Sequence, residues 1–263
     1  MVLPVGGGLG LGGILVLLVL SFIFKTDLLS LLGGGGQAVQ VGQQSGPLQT
    51  TPEEEKLVDF VSFVLDDAQG TWTRVFQQSG QQYQDAKLVV YRGATSTGCG
   101  YGDAATGPFY CPQDGTVYID LSFYDDLRQR FGAPGDFAQA YVLAHEIGHH
   151  VQNLLGTSSQ VRQAQEGDPG GANEMSVRLE LQADCYAGVW GNATQQRQIL
   201  EEGEVDEALQ AAAAIGDDRL QRQTQGQVTP DSFTHGSSEQ RMTWFRRGFD
   251  SGDPRACDTF GGR

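Results

Sequence analysis

Histidine is scarce in this chain, and its placement is the strongest constraint on the fold. Of four histidines in 263 residues, three are His145, His149 and His150, and the fourth is His235. His145 and His149 are four apart, so a helix through them puts both rings on one face. The surrounding sequence predicts that helix over residues 136–155, with Asp136 as its N-cap and Gly156 as its stop. Phe137, Tyr141, Ala144, Ile147, Val151 and Leu154 recur along it as apolar contacts. His150 falls about 100° round the helix from His149 and reads as a solvated residue or as support for a neighbour.

Two imidazoles on one helix face can ligate one zinc ion, and His-Glu-x-x-His adds a carboxylate offset around the helix. Glu146 would not ligate. It is placed to reach a water at the metal's open position and to act as general base. A catalytic zinc needs a third protein ligand. Only His235 is left among the histidines, so a carboxylate is the better candidate. The segment 178–188 (RLELQADCYAG) reads as helix about 30 residues after the histidine pair. Glu180 and Asp184 share a face there: one could ligate while the other holds a ligand histidine by its second nitrogen. Cys185 lies about 140° from Glu180 round that helix and is not expected to ligate.

Residues 1–24 carry no charged side chain, and 5–24 supply about 20 uncharged residues, the length that crosses a bilayer as a helix. A transmembrane anchor is expected. A secretory signal peptide is the alternative, disfavoured by the lack of a basic n-region and of a cleavage site. Residues 25–52 are a Gly/Gln-rich flexible linker. Lys25 and Asp27 cancel, so the net charge of −15, from 17 Lys+Arg against 32 Asp+Glu, belongs to a domain over 53–263. That charge argues against binding nucleic acid or an anionic lipid surface.

Thr51-Pro52-Glu53-Glu54 reads as a capping box opening an amphipathic helix to about residue 78. Residues 87–92 read as a strand, followed by a Gly- and Cys-containing loop. Residues 109–111, the Asp114-Gly115 turn and 116–121 read as a β-hairpin, and everything after about 123 looks helical. The fold class expected is α+β. Strand 117–121 is either an ordinary core strand or a sheet edge that receives an extended peptide. Tyr110 and Tyr118 read as core packing or as hydroxyl donors.

Four cysteines beyond the apolar run allow three connectivities. Cys99 and Cys111 flank a short Gly-rich loop and are expected to pair, leaving Cys185 to tie down the tail through Cys257. Free thiols in a cytoplasmic domain are the alternative. Lys25 after the anchor weakly favours that placement by the positive-inside rule. Disulfides and a long polar tether favour an extracytoplasmic domain on a single-pass membrane protein, which is the expectation adopted. His235 sits in a loop before a helix capped at Ser237 or Ser238. It is either a surface residue or a donor to the oxyanion of a tetrahedral intermediate. Arg241, Arg246 and Arg247 read as solvated or ion-paired.

The order His-Glu-x-x-His, then Glu-x-x-Ala-Asp on a later helix, resembles the glutamate-zincin metallopeptidases. The finer resemblance is to the putative neutral zinc metallopeptidase family of bacterial, membrane-anchored proteins. It rests on GCG at 98–100, GPFYCP at 107–112, VYIDL at 117–121, AHEIGHH at 144–150, LELQADCYAG at 179–188 and THGSSEQR at 234–241, through Trp244 and Phe245. It runs from about residue 53 to the C-terminus. The resemblance implies a zincin-like domain, a small mixed or antiparallel sheet followed by helices, holding one Zn2+ per chain. It implies His145, His149 and Glu180 as ligands, Glu146 as catalytic base and Asp184 as the residue orienting a histidine. One departure is that the apolar run begins almost at the first residue, without the basic segment usual in the family. Hydrolysis of a peptide or protein substrate is the leading reading. A zinc-holding interaction or chaperone-like module without proteolysis is the second, and a hydrolase of non-peptide amides the third.

Overall fold

Thr51 caps the first helix with its own side chain. Its Oγ1 accepts the Glu54 N–H at 3.3 Å, and Glu54 Oε2 accepts the Thr51 N–H at 2.7 Å, the reciprocal pairing of a capping box. From there α1 (Pro52–Gln78) buries Val61, Val64, Leu65, Ala68, Trp72 and Phe76, one stripe of a 3.6-residue period. The computed structural model describes residues 50–103 and 107–261, which belong to one compact unit. The apolar run expected to be an anchor, and the linker up to residue 49, lie outside them. Among the described residues no helix is long and apolar enough to cross a membrane.

Five short strands follow: β1 (Lys87–Tyr91), β2 (Ala94–Thr97), β3 (Gly100–Asp103), β4 (Phe109–Cys111) and β5 (Thr116–Asp120). The hairpin expected at Asp114-Gly115 forms, with β4 antiparallel to β5 and Tyr110 opposite Val117. On its other side β5 pairs parallel with β1, so the sheet is mixed and its order is β1-β5-β4. That removes one of the options for strand 117–121. β5 is central, buried at every position and hydrogen-bonded on both sides, so it has no free edge for a peptide. The edge strands of this sheet are β1 and β4. A parallel pair needs a crossover chain, and within that crossover β2 and β3 form a separate antiparallel pair where only a loop was expected. Its Ala, Gly and Asp residues give little strand signal. The Cys99–Cys111 disulfide joins the turn of this pair to the end of β4.

Helices α2 (Ser122–Gln129), α3 (Asp136–Leu154), α4 (Thr157–Gly167), α5 (Ala172–Gln196), α6 (Glu204–Ala214), α7 (Asp217–Gln225) and α8 (Ser238–Ser251) complete the domain. The architecture is α+β, with small sheets and a predominance of helix. The N-cap of α3 is Gly135, not Asp136. Glu207 of α6 does the capping work instead, its carboxylate accepting the Phe137 N–H at 3.2 Å. A tertiary partner thus satisfies a donor that sequence reading assigned to a local side chain. Ser237 caps α8 in a second capping box, with Gln240.

The core lies where α1, α3, α5, α6 and α8 meet the sheet. Trp72, Ile119, Tyr141, Leu143, Ile147 and Phe245 are all at most 1% exposed, each burial stabilising by roughly 1.5–3 kcal/mol. Gly148 sets how close α3 and α5 come. A Cβ there would stand 2.9 Å from the Ala183 carbonyl oxygen and 3.0 Å from its Cα. The helix carrying His145 and His149 therefore touches α5 backbone to backbone, one turn from Glu180. The predicted Cys185–Cys257 disulfide ties α5 to the C-terminal tail.

Candidate metal centre

His145 and His149 project from α3 toward Glu180 of α5. His145 Nε2 is 3.2 Å from Glu180 Oε2, and His149 Nε2 is 3.3 Å from Glu180 Oε1. One ligand atom from each of the three lies within 4.8 Å of the others.

The far nitrogen of each ring is held by a different partner. Asp184 Oδ1 accepts from His145 Nδ1 at 2.8 Å. Asp184 is itself fully buried and held by Arg241, whose Nε donates to Oδ2 at 2.8 Å and whose Nη2 donates to Oδ1 at 2.9 Å. The Tyr141 hydroxyl also donates to Oδ1. His149 Nδ1 donates to Gln152 Oε1 at 2.8 Å. The Gln152 amide is turned that way because its Nε2 donates to the Leu179 carbonyl at 2.7 Å and to Gln182 Oε1 at 3.2 Å. Gln182 Nε2 in turn donates to the Cys257 carbonyl at 2.9 Å. With Nδ1–H engaged on both rings, each presents an Nε2 lone pair. Two neutral imidazoles and a carboxylate, with both tautomers set by a hydrogen-bonded partner, fit a zinc ion and leave room for an open coordination position.

Electrostatics follow from this packing. Burial raises the Glu180 carboxyl, but the two imidazoles outweigh it and hold the group well below the usual carboxylate range. Burial likewise works against the Asp184 carboxylate, and Arg241 and His145 more than offset it. For His145 burial disfavours the imidazolium, yet Asp184 and Glu180 hold its pKa up at about 10, a value that belongs to the three ligands facing one another with a proton between them. Glu146 differs. Burial pushes its carboxyl up, the histidines oppose that, and no side-chain hydrogen bond ties it down among the described residues.

The three ligand residues and Glu146 line a cavity of about 940 Å³, as do His235, Arg241 and Tyr110. His235 is held by Asp217, at the start of α7. Asp217 Oδ2 accepts the backbone N–H groups of Thr234, His235 and Gly236 at 2.7, 2.6 and 3.0 Å, and Oδ1 is 3.2 Å from His235 Nδ1. That hydrogen bond raises the His235 pKa against the opposing effect of burial.

Other residues fall into place outside the ligand cluster. His150 is buried, not solvated. Its Nε2 donates to the Gln84 carbonyl at 2.6 Å, and its Nδ1 accepts from the Tyr110 hydroxyl at 2.9 Å. Burial lowers its pKa, so it is a neutral clamp between α3, the segment before β1, and β4. Tyr118 instead bonds Asp114 Oδ2 at 2.8 Å, within the hairpin. Of the three arginines, Arg241 is ion-paired and buried, and Arg246 and Arg247 are exposed. Sequence reasoning did not pick out Gln152, Tyr141 or Asp217, nor give Arg241 a part in the site. The one available signal was that Arg241, Phe245 and Gly248 fall on a single buried stripe of α8.

Comparison with known proteins agrees with this geometry. The family model of the putative neutral zinc metallopeptidases matches residues 2–260. The uncharacterized protein YpfJ of Escherichia coli K12 is 55% identical over 255 residues, which is 96% of this chain and 88% of the relative. The uncharacterized protein Mb2605 of Mycobacterium bovis is 46% identical over 189 residues, 68% of this chain and 63% of the relative. No solved structure matches.

Proposed function

We propose, for a chain that belongs to the putative neutral zinc metallopeptidase family, that it is a membrane-anchored zinc metalloendopeptidase with a zincin-like domain. In this reading His145, His149 and Glu180 hold one Zn2+ per chain. The observation that carries it is the pair of histidines four apart on α3, each with Nδ1 held and Nε2 directed at Glu180.

Zinc bound there supplies a Lewis acid that acidifies water and polarises a carbonyl. The chain's own groups do the rest. Glu146, with its pKa raised by burial, takes the proton of the attacking water and returns it to the departing amine. His235, held by Asp217 and lining the same cavity, donates to the oxyanion. Asp184, Arg241 and Tyr141 keep the His145 ring in one orientation and tautomer, and Gln152 does so for His149. The substrate enters as an extended strand along the free edge of β4, where Gly107, Pro108, Phe109, Tyr110 and Pro112 line the cavity. Two disulfides support a domain facing an oxidising compartment, tethered by the apolar run at 5–24.

The test is zinc content and cleavage of a mixed protein substrate, for the wild type and for Glu146→Gln. Stoichiometric zinc in both, with cleavage only in the wild type, is the expected result. Zinc without cleavage beyond that of Glu146→Gln would favour a zinc-holding interaction module instead.

A further inference from the structure

Nearly every charged side chain on the cavity wall has an answering charge. Arg130 Nη1 is 3.0 Å from Asp126 Oδ2, Arg241 is forked on Asp184, and His235 rests on Asp217. Glu180 lies between two imidazoles. The exceptions are Glu146, read above as the base, and Arg162. Arg162 lies on α4, one turn after Ser158, and lines the cavity with Ser158, Val161 and Gln165. Among the described residues it makes no hydrogen bond, ion pair or ring contact.

The wall that carries Arg162 is fixed to the metal-ligand helix. Gln165 Nε2 donates to the Ala172 carbonyl at 3.0 Å and to Ser176 Oγ at 2.9 Å, one turn before Glu180 on α5. The helix bearing it is thus anchored, and the guanidinium is an unneutralised cation on the cleft wall of a chain whose net charge is −15. Such a chain repels acidic ligands at a distance, and Arg162 is the place in this cavity where an acidic group gains by docking. A guanidinium fork matches a carboxylate in two parallel hydrogen bonds, and Val161 and Leu179 line the same cavity.

We propose that the cavity selects peptides bearing a carboxylate, an Asp or Glu side chain or a free C-terminus, and that Arg162 is the residue that selects it. This rests on the peptidase reading of the same cavity.

The test uses the full chain carrying Glu146→Gln, loaded with zinc, so that peptides bind without being consumed. Fluorescein-labelled decapeptides, scanned with Glu, Gln or Lys at each position and made with free or amidated C-termini, are titrated by anisotropy. One position, or the chain end, is expected to bind about tenfold tighter as the acid than as the amide. Salt weakens that preference, Arg162→Gln abolishes it, Arg162→Lys keeps part of it, and Arg162→Glu turns it toward Lys. Arg162 is exposed, and circular dichroism and zinc content verify that each variant is folded. Equal binding of acids and amides throughout, a preference that survives Arg162→Gln, or no binding by any peptide overturns the proposal. Cleavage by the wild type is read separately. A peptidase indifferent to charge, and acid-selective binding without proteolysis, are therefore distinct results.

Discussion

Replacing Arg241 by Met removes a charge that lies outside the ligand set while keeping most of the side chain's volume. In the native domain the Arg241 and Asp184 side chains are 2% and 0% exposed. Without Arg241 the Asp184 carboxylate stays buried with only His145 and Tyr141 to donate to it. Breaking a buried pair from one side costs about 3–5 kcal/mol, because the remaining charge is uncompensated. For a domain of this size each kcal/mol moves the melting midpoint by about 2–4 °C, so the zinc-free protein should melt ~6–20 °C lower. The second effect falls on His145. Burial already drives the Asp184 carboxyl upward, and Arg241 is the chief influence holding it down. Its loss lets the carboxyl rise and weakens its grip on His145 Nδ1–H, and losses of this kind reduce metal affinity about 10–100-fold. Thermal unfolding in chelator measures the first effect and competition with a chromogenic chelator the second. Arg246→Met, on the exposed side of the same helix, is the control and should stay within about 0.5 kcal/mol of wild type. An Arg241→Met protein that melts within ~2 °C of wild type, a shift worth under ~1 kcal/mol, and binds zinc as tightly would refute the reasoning.

Gln152→Leu, which deletes the acceptor for His149 Nδ1, should weaken zinc binding about 10–100-fold, and Gln152→Glu should restore most of it. Equal affinity for all three proteins in chelator competition would mean that His149 needs no such partner. The raised His235 pKa has a definite sign for activity and stability. Its ion pair with Asp217 contributes fully below the ordinary histidine value of about 6.5 and is lost as pH rises through the raised folded value. Cleavage should therefore fall along an alkaline limb set by His235, and Asp217→Asn should move that limb to lower pH. A pH profile of kcat/KM whose alkaline limb stays put in Asp217→Asn would remove His235 from oxyanion binding.

The parts of the site legible in the sequence were those with a short period. His145 and His149 share a helix face because 3.6 residues make a turn, and Glu180 and Asp184 share one for the same reason. The capping box at Thr51 was legible too, since its partner lies three residues from the cap, whereas for the last helix the sequence left the cap between Ser237 and Ser238 and the structure assigns it to Ser237. What escaped was fixed across long separations. Asp184 meets Arg241 57 residues later, Gln152 meets Leu179 27 residues later, and Phe137 meets Glu207 70 residues later. No local pattern encodes such a pairing. The central position of β5 escaped for a related reason. A hairpin announces itself by its turn, whereas the parallel pairing with β1 depends on a crossover whose path is decided in the fold. Four cysteines were enough to anticipate both disulfides, because the short Gly-rich loop left one natural partner for Cys99.

Three glycines show how an uncharged, unreactive residue governs the chemistry at a distance. Gly148 lets α3 lie against Ala183 of α5. Gly188 and Gly248 do the same between α5 and α8, where a Cβ would stand 2.1 Å from the Phe245 carbonyl oxygen and 1.9 Å from that of Cys185. No side chain fits at such separations, so any larger residue forces the helices apart. The ligand set and its support span these crossings: His145 and His149 on α3, Glu180 and Asp184 on α5, Arg241 on α8. The contacts that join them are 2.8–3.3 Å long, at or close to hydrogen-bond distance. A separation increased by one ångström at either crossing would undo the Asp184–Arg241 fork or draw Glu180 away from the imidazoles. The close helix contacts are therefore a requirement of the metal centre as much as of the core.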